Sequence, residues 1–140
     1  MPKIQTLLVL MVPFALLPLW ILAHGDERRY MRQVLRTLLR SRERWDAFFD
    51  CAENDSDAAS CSHILHDVAE IIREAQEIDP PSHDSAEAHD LLNEAWSAEL
   101  MAVSAFQEWL SGRDTNSLER GLAYVRVAVD KKQRAIEMLD

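Results

Sequence analysis

Between residues 26 and 139 apolar side chains recur every three or four positions, the spacing that turns one face of an α-helix toward a core. Four such runs are predicted, over about 26–53, 56–78, 84–111 and 116–139. The first carries Tyr30, Met31, Val34, Leu35, Leu38, Trp45, Phe48 and Phe49 on its stripe, and the second Cys61, Ile64, Leu65, Val68, Ile71, Ile72, Ala75 and Ile78. The third runs through Leu92, Trp96, Ala102, Val103, Phe106 and Leu110, and the fourth through Leu118, Gly121, Leu122, Val125, Val129 and Ile136. Start signals stand at Asn54 with Asp57, Asp84 with Glu87 and Asn116 with Glu119, and Pro80-Pro81 and Gly112 act as stops. Short connections between helices of similar length predict an all-α, up-down-up-down antiparallel four-helix bundle over residues 26–140.

The first 25 residues follow another pattern. From Leu7 to Ala23 no polar group occurs except the Trp20 indole, and Ile4 extends the apolar stretch to about 20 residues, enough to cross the roughly 30 Å hydrocarbon core of a bilayer. Residues 1–25 are therefore expected to be a signal-anchor or a signal peptide, with residues 4–23 as the membrane contact. Cleavage after Ala23 has a small residue at the cleavage position, but Ile21 two residues before it departs from the small-residue rule, so the anchor is the leading expectation and secretion after cleavage the alternative.

Charge divides the chain further. Lys3 is the one charged side chain in residues 1–23, whereas residues 24–50 hold Arg28, Arg29, Arg32, Arg36, Arg40, Arg42 and Arg44 against five acids. The rest is strongly acidic, and the whole chain carries a net charge of −9. That balance argues against nucleic acid as a partner, since phosphate contacts need clustered cations. Arg28, Arg29, Arg32, Arg36 and Arg40 gather on one face beside the apolar stripe. Next to an anchor they would lie at headgroup level, as a lipid or partner contact. By the positive-inside rule these arginines favour a cytoplasmic domain. Cys51 and Cys61 argue the other way: they bracket a helix turn at matching heights and can form a disulfide, a bond that persists outside the cytoplasm. The balance leans to an extracytoplasmic domain.

Two charges interrupt the apolar stripes. Glu99 lies between Ala95, Val103 and Phe106, and Lys132 between Val125, Ala128, Val129 and Ile136. Burying either alone is costly, so the two should meet, and an antiparallel turn near Asp114 brings them to similar heights. Arg42 falls in the apolar face of the first helix at a comparable height, which predicts an internal cluster of Arg42, Glu99 and Lys132. Such a cluster is either a buried ion network or a polar site for a small anionic ligand.

No catalytic or metal-binding constellation is expected. His63 and His66 lie off the apolar stripe, and His83 and His89 flank the start of the third helix. No Glu-x-x-His pair, haem attachment motif, phosphate loop or nucleophile elbow occurs, and no cofactor is implied. With only three glycines a backbone-lined active site is not expected. The leading expectation is a non-catalytic, membrane-tethered accessory or adaptor protein acting through protein contacts. A small-ligand-binding bundle and an anionic-lipid-binding peripheral domain are the alternatives.

Overall fold

The computed structural model of the protein describes residues 25–54 and 57–139. They form four helices: α1 (Gly25–Glu53), α2 (Ala58–Gln76), α3 (His83–Gly112) and α4 (Thr115–Leu139). Among the described residues there is no strand, and no helix is long and apolar enough to cross a membrane. The expected anchor over residues 4–23 lies outside the described residues.

The helices fall within two residues of the periodic runs, but their caps differ from those expected. At α2 the N-cap is Asp57 rather than Asn54. Its carboxylate accepts the Ser60 backbone N–H at 2.9 Å and the Ser60 hydroxyl at 3.0 Å. The backbone bond, followed by the hydroxyl, holds the Asp57 carboxyl below its usual range. At α3 the cap is Ser82 rather than Asp84, because the Ser82 hydroxyl takes the Ser85 N–H while also donating to Glu27 of α1. Asp84 instead sits in the first turn, where a carboxylate suits the helix dipole. Asp114, not Asn116, serves α4, accepting from Asn116 N–H at 3.1 Å and the Ser117 hydroxyl at 3.2 Å. The left-handed residue that ends α3 is Arg113 (φ 54°), one past Gly112. A left-handed non-glycine residue costs about 1–2 kcal/mol. The Arg113 guanidinium lies 4.7 Å from the Trp109 ring centroid, a cation–π contact that offsets part of that cost.

Cross-helix pairs establish an antiparallel run of neighbours. Arg40 meets Glu74 at 3.1 Å and Arg44 meets Asp67 at 3.7 Å between α1 and α2. Near the turn the Cys51 and Cys61 sulfurs are at bonding distance with Cα atoms 5.7 Å apart, the bridge the sequence spacing suggests. Closing so short a loop is worth about 2–3 kcal/mol in the chain-entropy picture. Ser62 donates to Gln107 at 2.8 Å between α2 and α3, while Lys131 to Glu94 at 2.8 Å and Arg120 to Glu108 join α3 to α4. The interior between α1 and α3 is aromatic at the disulfide end. There Trp45, Phe48 and Phe49 surround Phe106 with ring centroids 5.0–5.8 Å away.

The α3–α4 seam is the most extensive helix pairing among the described residues. Ala95, Ala98 and Ala128 are buried along it, so small side chains let the backbones approach. Gly121 is where this matters most. A Cβ there would lie 2.5 Å from Cε1 of Phe106, whose ring is fully buried among the aromatics of α1 and has no room to retreat. Ordinarily Gly to Ala inside a helix gains up to about 1 kcal/mol, whereas an extra methyl forced into a packed core costs about 1–3 kcal/mol. Gly121→Ala is therefore expected to lower unfolding stability by about 1–2 kcal/mol in urea titration. A neutral or stabilising result would show that Phe106 can yield.

Candidate functional site

Two features stand out: ionised groups sealed in the core, and an arginine face on α1. Glu99, at mid-α3, is 0 % exposed and Lys132, late in α4, is 1 % exposed. The Lys132 ammonium pairs with Oε1 of Glu99. The other carboxylate oxygen, Oε2, accepts from the Trp45 indole N–H at 2.8 Å and from the Ser41 hydroxyl at 3.2 Å. One carboxylate thus joins α1, α3 and α4.

Two α1 groups reach the Glu99 carboxylate, Ser41 and Trp45, four residues apart and so on one face of the helix. Arg42, the third charged residue expected in the cluster, is half-buried and engaged. Sequence reading weighed charges alone and passed over a serine and an indole that lie on the buried stripe. Both are neutral donors to Oε2.

A second buried polar contact also went unread. His89 is 5 % exposed, and its Nδ1 lies 2.8 Å from the Tyr30 hydroxyl. Its position between Ser85, Leu92 and Trp96 on the α3 stripe was the available signal. Burial holds the imidazole below its ordinary value of 6.5, against the opposing pull of Asp90, Asp79 and a hydrogen bond to the Ile78 backbone. Burial, reinforced by the charge of Glu27, raises the Tyr30 phenol well above its usual value. The neutral pair therefore prevails at neutral pH. Next along α3, the Trp96 ring packs edge-on to His89 at 5.9 Å, and its buried indole N–H finds no acceptor among the described residues.

On the outside of α1, Arg32, Leu35, Arg36, Leu39, Arg40 and Glu43 line a groove of about 340 Å³. Arg32, Arg36, Leu39, Arg40 and Glu43 lie away from the stripe of Val34, Leu38, Ser41 and Trp45 that faces the core, and half-buried Leu35 packs against that core at the groove's edge. Leu39 is 38 % exposed between the arginines. A second groove, of about 260 Å³, runs between α1 and α2 and includes Arg40, Arg44, Asp67, Glu70 and Glu74. The arginine series thus changes character along the helix. Arg40 and Arg44 are matched by acids of α2, whereas Arg29, Arg32 and Arg36 enter no ion pair among the described residues. Arg28, the remaining member of the predicted face, is half-buried and already engaged.

Compared with known proteins, the chain matches no family model, no curated protein and no solved structure.

Two measurements test the core. Glu99→Gln leaves the Lys132 ammonium without its counter-charge and is expected to cost about 3–5 kcal/mol on unfolding. The double variant Glu99→Leu with Lys132→Met should recover most of that loss, because both desolvated charges go together. A single-variant cost under about 0.5 kcal/mol, the size typical of surface sites, would contradict burial of the pair.

For His89 the sign follows from its depressed value in the fold. As pH falls below 6.5 the unfolded chain takes up the proton first, so stability present above that pH is lost on acidification until the folded imidazole also protonates. Chemical denaturation at pH 7.5 and pH 5 is expected to give a larger loss for the wild type than for His89→Gln. Equal losses would remove His89 as the cause.

Proposed function

We propose that this chain is a non-catalytic, membrane-tethered helical bundle that serves as an accessory or adaptor protein, acting through protein contacts at a membrane surface. The observation that carries the reading is the outer surface of the α3–α4 pair. Met101 and Val127 are 51 % and 43 % exposed, and the α3–α4 register sets them opposite each other. The ion pairs Glu94–Lys131 and Glu108–Arg120 stand on either side of them along the seam. Apolar side chains with a charged rim make a contact surface for another protein. The residues after α1 carry eighteen acids against seven bases, so the partner favoured by charge is a basic one.

Support for the tether comes from the sequence. The apolar stretch over residues 4–23 has the length of a membrane span, and α1 begins at Gly25, directly behind it. The Cys51–Cys61 pairing favours a domain held outside the cytoplasm, where such bonds persist. The small-ligand alternative is weaker. Both oxygens of Glu99 are already engaged by Lys132, Trp45 and Ser41, so an anion entering there would have to break that arrangement.

In cells making the full-length chain, alkaline carbonate should leave it in the membrane pellet, and its release into the wash would remove the tether. A photo-crosslinking amino acid at Met101 or Val127 should give a discrete adduct that Val127→Glu abolishes at position 101. Absence of an adduct at both positions, beside one at an α1 or α2 control position, would overturn the assignment of this surface.

A further inference from the structure

We infer that the groove on the outer face of α1 is a binding site for anionic phospholipid, with headgroup phosphate held between Arg32 and Arg36 and the upper acyl chain against Leu35 and Leu39. The inference rests on the membrane tether proposed above but concerns a different surface.

Three observations converge on it. The first is charge: Arg32 and Arg36 are one helical turn apart, exposed and without ion pairs among the described residues, while Arg40 and Arg44 farther along are matched by Glu74 and Asp67. Acids of α2 thus pair with Arg40 and Arg44 but not with Arg32 or Arg36. The second is the lining of the groove, which sets half-buried Leu35 and exposed Leu39 beside the arginines. A phosphate alone has no use for that surface, whereas a lipid does. Glu43 closes the far end, which confines the anion to the Arg32–Arg36 end.

The third is reach. At 1.5 Å per residue Arg32 lies roughly 10 Å and Arg36 roughly 17 Å along α1 from its start. The headgroup layer is only about 5–8 Å thick on each side of the hydrocarbon. A helix standing upright on the membrane would carry both arginines past the headgroups. Lying along the surface, α1 turns the whole row of Arg32, Leu35, Arg36 and Leu39 to the lipid and its opposite stripe to the core. Bound this way, the groove sets the orientation of the bundle and leaves the α3–α4 surface free for a partner.

The test uses the full-length chain in vesicles containing phosphatidylglycerol or phosphatidylcholine, each bearing the same diazirine in its acyl chain, with labelled peptides mapped by mass spectrometry. Labelling of residues 32–43 by the anionic lipid is expected to exceed that by the zwitterionic lipid at least about fivefold, roughly the effect of one basic residue at an anionic surface. Arg32→Gln with Arg36→Gln should bring that ratio close to one, whereas Arg126→Gln with Arg134→Gln, an equal change of charge on α4, should leave it. Labelling of residues 4–23 by either lipid reads the tether separately. If that signal is missing while the selective signal at 32–43 persists, the tether fails and the groove stands. Equal labelling of the groove by both lipids, no labelling there, or selectivity that survives the Arg32 and Arg36 changes would overturn the assignment, and no labelling there would point to an acidic protein segment as the occupant.

Discussion

An ionised carboxylate and an ionised amine that lose their water must find each other, and the packing of this protein is arranged around one such encounter. Glu99 and Lys132 pair in the middle of the α3–α4 seam, and the second oxygen of Glu99 is met by Ser41 and Trp45 from α1. Breaking such an arrangement costs several kcal/mol even though forming it from water gains little. Its structural effect is therefore selection among alternatives. Sliding α4 by one residue moves Lys132 by 1.5 Å and turns it by 100°, away from its partner. The register that keeps the pair together also sets Gly121 under Phe106 and matches Lys131 to Glu94.

On either side of this centre the bundle is held by different chemistry. At the Cys51–Cys61 end a covalent bridge stands near the aromatic cluster of Trp45, Phe48, Phe49 and Phe106, so apolar area and chain closure do most of the stabilising. At the end nearest the N-terminal segment the contacts are polar: Tyr30 with His89, and Ser82 with Glu27. His89, held neutral by burial, makes that end the one that acidification acts on first.

The outer surface is divided as sharply as the interior. Acids of α2 match Arg40 and Arg44, so the basic character of α1 persists only toward its beginning, and the apolar exposure of α3 and α4 lies elsewhere on the bundle. The surfaces proposed to face lipid and protein lie on different helices, as suits the proposed role of a small domain that holds something at a membrane. Each contact can form without displacing the other.

Periodicity along the chain was enough to determine four helices, their order and the faces they bury, because an apolar stripe has few ways to leave water. It also determined that Glu99 and Lys132 belong together, since the penalty for burying either alone is local and large, and that Cys51 and Cys61 stand at one height across a short turn. Tertiary structure decided who completes each contact. Whether Asn54 or Asp57 caps α2, and that the Ser41 and Trp45 donors reach Glu99, turn on rotations of 100° per residue that sequence spacing sets only relative to the helix itself. Burial of His89 against Tyr30, 59 positions away, likewise depends on how two helices are rotated toward each other. Chain pattern defines the faces; the fit of side chains between helices chooses which atoms on those faces touch.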